Sequence, residues 1–465
     1  MFQLPDRVVG DAYTSSRGLD LVASLVELDH RMPGSEGERE AAHIIADWFR
    51  EDGLDDVTVT EFPIPRWERG DAALTLDRGE QYEHPHEVVA LPGSPDASAS
   101  GELVDMGDAL PEQLQNADLD GKVVLASSNT PDDYGRWVHR IEKYAHAVRA
   151  GADAFVFVNH VDGNLPPTGD IGDRTGPGPI PAIGVSKEVG AELRRYCEED
   201  TVDATVAVDC VTGDATSRTV EATVGPDTDE EVVFTAHVDA HDIGDGANDN
   251  GTGCALVAEV GRLLKQVEDD LETRVRLVTF GAEETGLYGS YHYAETRDLS
   301  DVKCLLNVDG AGYSRNLAIY THGNDDIGEV FDAVSDAFDV PVKVSSAIRP
   351  HSDHWPFVQK GVAGGYAKTT SGGNDRGWGH THADTFDKLD VRDVRDVAVL
   401  LATGVGTLAE ADREIEPVPE SEVRDATIEQ DFDTDMKAIG SWPWADEPRV
   451  WPWDDDASSA SNDDA

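Results

Sequence analysis

The apolar run Val232-Val233-Phe234 reads as a buried strand, and Ala255 to Leu264 repeats its apolar residues at helical spacing. Between them lies a loop of His, Asp, Asn and Gly that is too polar for a core. It offers His237, Asp239 and Asp249 ahead of the turn Gly251-Thr252-Gly253. Imidazole beside carboxylates, at the carboxyl end of a strand, is where an α/β sheet places a metal or a substrate. Taken alone, the loop reads equally well as a solvated turn with one hydrogen-bonded His. Two more strand ends change that balance. Arg274 to Phe280 runs into Gly281-Ala282-Glu283-Glu284, and Cys304 to Val308 runs into Asp309. In a parallel sheet such ends converge on one rim. A fourth segment, Gly379-His380-Thr381-His382-Ala383-Asp384-Thr385, is loop-like and adds imidazoles and a carboxylate.

Ligation by His and carboxylate together suits zinc, with manganese or cobalt as substitutes. Two zinc ions ~3.5–4 Å apart repel and need a shared carboxylate. Asp249 is best placed to be that bridge. A Glu-Glu pair at a strand end lets one Glu ligate while its neighbour stays free as a base. By itself the pair would read as a negatively charged first turn of a helix. Other chemistries lack their residues. There is no Gly-x-Ser-x-Gly elbow, His86-Glu87 has no second His at position 90, and no Gly-x4-Gly-Lys phosphate loop occurs. Asp242 to Asp249 has the wrong ligand periodicity for a calcium loop.

These motifs carry a resemblance. His237-Val-Asp239, Gly246-Ala-Asn-Asp249-Asn-Gly-Thr-Gly253, Glu283-Glu284, Asp309 and His380-x-x-x-Asp384-Thr385 resemble the co-catalytic di-zinc aminopeptidases of metallopeptidase family twenty-eight. The likeness spans roughly Leu19 to Pro63 and Val220 to Leu408, and takes in His30-Arg31-Met32-Pro33-Gly34-Ser35 and Ser352-Asp353-His354-x-x-Phe357. Leu119-Asp120-Gly121-Lys122-Val123-Val124 and Ala147-Val-Arg-Ala-Gly151-Ala152 resemble an inserted protease-associated domain.

The resemblance implies two zinc ions per chain. His237 and Asp309 would complete one, Glu284 and His380 the other, with Asp249 bridging. It implies Glu283 as general base. Asp239 joins the catalytic group as a partner that orients an imidazole, and Asp384 is implied in the same orienting role. Asp353 and His354 are divided between substrate pocket and structural support. A cis peptide is implied after Asp249. The implied activity is an exopeptidase, foremost an aminopeptidase acting on peptides with a free N-terminus. The alternatives are a dipeptidase or carboxypeptidase-like enzyme, a one-zinc glutaminyl-cyclase-like relative, and a non-catalytic receptor-like protein. Gly379 departs from several relatives of that family, which carry an oxyanion-stabilising Tyr before the last His; Tyr313, Tyr366 and Trp378 are the available substitutes. His241 and His292 are candidates for the rim but read as solvent-facing or packing residues, and His322, which follows a strand, reads as structural.

The surrounding pattern must position these groups. Gly18 to Arg50 reads as two helices broken at Pro33-Gly34-Ser35, with Ser35 and Glu38 as a capping box for the second. Val57 to Pro63 alternates as a strand. From Glu231 onward strands and helices alternate, with helices expected over Asn250 to Val267, Gly289 to Thr296, Ile327 to Phe338 and Val391 to Glu410. The fold class is therefore α/β: a mixed, mostly parallel sheet flanked by helices, which the resemblance makes a zinc-exopeptidase fold with an inserted β-rich protease-associated domain. The division is 1–90 and 215–412 for the catalytic domain, 91–214 for the insert, and 413–465 for an acidic tail. Beyond Arg413 the periodicity dissolves. Trp442, Trp444, Trp451 and Trp453 lie there among Pro and Asp, and the very end reads as disordered.

The 465 residues carry 93 acidic against 37 basic side chains, a net charge of -56. Such a charge repels nucleic acid and anionic membranes. Only ten of the bases are Lys, and the acids are spread along the whole chain, as in proteins of salt-accumulating halophiles. The four cysteines form no Cys-x-x-Cys pair, so a thiolate zinc site is not expected. No run approaches the ~18 apolar residues of a membrane span, and Met1 to Gly10 has no signal core. A reduced, cytoplasmic protein is expected; the oligomeric state is not indicated.

Overall fold

A computed structural model describes residues 1–172, 176–370 and 377–445. They form two compact units. One comprises Met1–Ile64, Ala215–Gly379 and Ala383–Ala426; the other comprises Pro65–Asp214, His380–His382 and the chain from Thr427.

The first unit is built on seven strand segments, in the order Lys343–Ser345, Leu317–Tyr320, Gly364–Thr369, Val302–Val308, Glu231–His237, Arg274–Phe280 and the C-terminal half of Asp203–Val224. The four from Gly364–Thr369 to Arg274–Phe280 are mutually parallel. Antiparallel pairing occurs at Leu317–Tyr320 and where Val220 to Val224 meets Arg274–Phe280. The central strand Glu231–His237 is buried at every position. That is why its sequence is a continuous apolar run rather than an alternation. Val232, Phe234 and Ala236 join one core cluster, in which the helices Arg17–Val26, Glu36–Glu51, Thr252–Lys265, Asp325–Phe338 and Val391–Leu408 also bury their apolar faces. Val233 faces the other way, with Val278, Phe280, Leu305 and Phe357. Truncating a buried side chain such as Phe234 to Ala would cost ~3–5 kcal/mol.

The helix starts follow from local chemistry. Ser35 accepts the Glu38 N–H at 3.0 Å and caps Glu36–Glu51. The expected reciprocal bond is shifted by one residue: the Glu38 carboxylate takes the Gly34 N–H at 2.7 Å, not that of Ser35.

The second unit has its own sheet, ordered from the N-terminal half of Asp203–Val224 through Ala97–Asp105, Lys122–Ser127, Ala154–Val158 and Ala182–Val185 to Val88–Ala90. Its inner pairs are parallel and its outer pairs antiparallel. Leu114, Val124, Tyr144, Phe155 and Phe157 form its core. The unit begins at Pro65, and the strand Asp55–Leu76 continues through that residue and pairs with Gln81–Tyr82. The tail is more ordered than its composition implies: Glu420–Glu429 and Phe432–Ala438 are helices, the latter burying Phe432 and Met436. Trp451, Trp453 and the chain end lie outside the described residues. Among the described residues no helix is long and apolar enough to cross a membrane. All four cysteines are free thiols, and Cys254 and Cys304 are buried.

Candidate metal centre

Three adjacent parallel strands deliver the site. Phe280 is the register partner of His237, so the chain leading to Glu283 and Glu284 leaves the sheet beside that imidazole. Val302–Val308 pairs on the other side and ends at Asp309. Two groups of donors result. In the first, His237, Asp249 and Asp309 bring one ligand atom each to within 4.8 Å of one another; in the second, His241, Glu284 and His380 do the same.

The first group fits a cation. His237 Nε2 faces Asp249 Oδ1 at 3.4 Å and Asp309 Oδ1 at 3.6 Å. It is buried and makes no hydrogen bond among the described residues. Those separations are long for hydrogen bonds, but two donors each roughly 2.0–2.1 Å from one zinc stand roughly 3–3.5 Å apart. The electrostatics agree. Burial alone would pull the His237 imidazole down, yet Glu283, Asp239, Asp249 and Asp309 around it push it well above its ordinary value. Part of Glu283 reaches solvent, but burial and the nearby Glu284, Asp309 and Asp353 push its carboxyl well up against the pull of His237. A concentration of negative charge this dense is what a bound cation neutralises.

Supporting residues fix each donor. His237 Nδ1 lies 3.1 Å from the main-chain oxygen of Asp239 and 3.6 Å from its carboxylate. The main-chain oxygen is the nearer, and the carboxylate, expected to orient an imidazole, faces the same nitrogen. That side chain also accepts the N–H groups of Glu283 at 3.1 Å and Glu284 at 3.0 Å. Asp384, expected to orient an imidazole, accepts the N–H of Asn248 at 2.9 Å and of Asp249 at 3.0 Å, and takes the Tyr313 hydroxyl. It positions the Asp249 loop. The Asp249–Asn250 peptide is cis. Asn250 reaches the Val308 carbonyl at 3.0 Å and so ties that loop to the strand of Asp309. Asp309 receives the Ser352 hydroxyl at 2.9 Å.

Arg31 was noted only as part of a motif. It is buried and donates to the carbonyls of Val238, Asp245 and Gly246 at 2.8–3.0 Å, clamping the loop between His237 and Asp249. Gly246 has φ 58°, and a Cβ there would stand 2.3 Å from that of Ala240, so the clamp needs Gly. Asp353 is fully buried, which pushes its carboxyl up to about 8. His354 stacks between His322 at 4.5 Å and Tyr366 at 5.0 Å, with Nε2 2.5 Å from the Arg349 carbonyl. His322 has its Nδ1 3.0 Å from the Gly364 carbonyl. At Gly379 an added Cβ would lie 3.8 Å from Asp249 Oδ2, so that position borders the metal groups.

Of the readings open for His241, the structure rules out solvent. It is buried, with Nε2 2.9 Å from Glu284 Oε2. The available signal was its spacing of two from Asp239 and four from His237, the period that returns side chains to one side of an extended chain.

The sequence pattern of peptidase family M28 matches residues 219–405, and that of the PA domain matches residues 94–193. Aminopeptidase YwaD of Bacillus subtilis is 30% identical over 349 residues, covering 71% of this chain and 70% of its own. Among solved structures, an aminopeptidase from Aneurinibacillus sp. strain AM-1 matches with a TM-score of 0.67 and 25% identity, over 89% of this chain and 98% of its own. A peptidase M28 precursor from Shewanella amazonensis shares the fold with a TM-score of 0.74 at 24% identity, over 89% and 98% of the respective chains.

Proposed function

The chain belongs to peptidase family M28, and from that premise we propose that it is a di-zinc aminopeptidase releasing N-terminal residues from peptides. His237 and Asp309 hold one zinc, Glu284 and His380 the other, and Asp249 is shared. The observation that carries this reading is the pair of donor groups, each of mixed imidazole and carboxylate and each within 4.8 Å. Nitrogen and oxygen donors in this mixture suit zinc. When bound, the ions supply a nucleophile at neutral pH and polarise the scissile carbonyl.

The chain's own residues do the rest. Glu283 accepts the proton of the attacking water and passes it to the departing amine. Asp239 keeps Glu283 and Glu284 in place through their amides. Carboxylates at the rim not engaged by the ions hold the substrate's α-ammonium, which makes the residue released the N-terminal one. Two donor groups favour this reading over a one-zinc cyclase. We also propose that the net charge of -56 is an adaptation to high salt.

The test is metal content together with hydrolysis of aminoacyl substrates and dipeptides in high-salt buffer, for the wild type and Glu283→Gln. The wild type should hold about two zincs and release N-terminal residues in a chelator-sensitive way. The variant should keep both ions and lose ~10²–10⁴ in turnover. Lost metal in the variant, or turnover retained, would overturn the assignment.

A further inference from the structure

We propose that His241 is itself a metal ligand, sharing one ion with Glu284 and His380, and so adds a sixth protein ligand to the five that the resemblance supplies. The inference rests on the two-metal reading above and deepens it. Three observations carry it. First, His241, Glu284 and His380 each place a donor atom within 4.8 Å of the other two. Second, His241 Nε2 and Glu284 Oε2 are 2.9 Å apart, close to the roughly 3–3.5 Å between neighbouring donors on one zinc. Third, the imidazole is buried rather than turned to solvent.

The backbone explains how it gets there. Past His237 the chain is held by the Val238 N–H on the Phe280 carbonyl at 2.7 Å, and by the Ala240 N–H on the Arg31 carbonyl at 3.1 Å. With the chain pinned on both sides, His237 and His241 are presented to the two donor groups from one short stretch. Asp239 between them fixes the Glu284 amide. His241 and its partner Glu284 are thus positioned by the same carboxylate.

The consequence is an asymmetric centre. The ion at Glu284 has two imidazoles and a carboxylate of its own; the ion at His237 has one imidazole and one carboxylate besides Asp249. The more saturated position binds its ion more tightly, and the less saturated one keeps open coordination for the reaction.

The experiment is a titration of the metal-free full chain with Zn(II), and separately with Co(II) read by its visible absorption, for wild type, His241→Ala and His241→Gln. Gln can still donate a hydrogen bond to Glu284 but is a poor metal ligand. The wild type should bind two ions of unequal affinity. Both variants should weaken the tighter one by about tenfold or more, a loss that even indirect partners of metal ligands reach. The Co(II) band of that ion should change in intensity as coordination falls, while the second ion binds as before and reports an intact fold. Wild-type affinity and spectrum in His241→Gln would overturn the inference, leaving His241 as a hydrogen-bond donor only. A wild type that binds fewer than two ions would instead overturn the two-metal reading itself.

Discussion

Asp239 holds Glu284 by the main chain: its Oδ2 accepts the Glu284 N–H at 3.0 Å, while its Oδ1 takes the preceding N–H of Glu283 at 3.1 Å. The carboxylate is fully buried. One side chain, two residues beyond His237, thus fixes both the proposed base and a proposed ligand in the loop after the neighbouring strand.

Asp239→Asn should break this arrangement, because an amide offers one acceptor and turns its NH2 toward the other N–H. The expected loss is ~10–100-fold in turnover or metal affinity, with ~1–3 kcal/mol of stability from the unsatisfied amide. Steady-state kinetics, zinc titration and thermal unfolding of the variant would measure this. Wild-type values in all three would show that the two bonds do not position the site.

A buried chain of hydrogen bonds stands behind Asp309. The Thr235 hydroxyl donates to Asn307 at 2.8 Å, the Asn307 amide to Ser352 at 2.9 Å, and the Ser352 hydroxyl to Asp309 Oδ2 at 2.9 Å. Ser352→Ala leaves the Asn307 amide and one Asp309 oxygen without this partner. It should cost ~1–3 kcal/mol of stability and weaken the ion at His237 by about tenfold or more, sparing the other. Ser352→Thr, which keeps the hydroxyl, should restore affinity. Equal weakening of both ions would place the effect in the fold as a whole.

Most of the residues that come together in the two candidate donor groups were legible because strand ends are legible. Apolar runs such as Val232-Val233-Phe234 stop abruptly at charged residues, and a parallel sheet sends those stops to one rim. His241 was not legible, because a His in a polar loop looks the same whether it faces water or Glu284. The bonds that Asp239 and Asp384 make to main-chain amides were not legible for a related reason: backbone amides leave no trace in the sequence. The strand Asp55–Leu76 was recognised only in its first part, since Pro63 and Pro65 interrupt its alternation. The helices Glu420–Glu429 and Phe432–Ala438 were missed because each buries too few apolar residues to show a period.

In the second unit, Lys143 is fully buried and donates to the carbonyls of Asp108, Ser127 and Asn129 at 2.7–2.8 Å. Burial pulls its ammonium down from 10.5 to about 8. Between those values the unfolded chain holds a proton that the folded chain has shed. Stability therefore rises with pH from about 8 to about 10.5, by up to ~3 kcal/mol from this group, and its contribution is flat below 8. A 13Cε NMR titration should place the Lys143 midpoint near 8. A midpoint in the ordinary lysine range would remove this pH dependence.

The net charge of -56 sets the last prediction. Acidic side chains repel across distances that a Debye length of ~10 Å at 0.1 M salt leaves partly unscreened, whereas ~3 Å at 1 M does not. Thermal unfolding should therefore shift upward steeply from dilute buffer toward molar KCl, and the chain should lose structure and activity on dialysis to low salt. Screening can be separated from strengthened apolar burial, because excluded anions such as sulfate favour burial more than chloride does. If screening governs, KCl and potassium sulfate coincide when plotted against ionic strength. If burial governs, sulfate outruns chloride. Full stability in dilute buffer would reject the high-salt adaptation and leave the acidity without a role in folding.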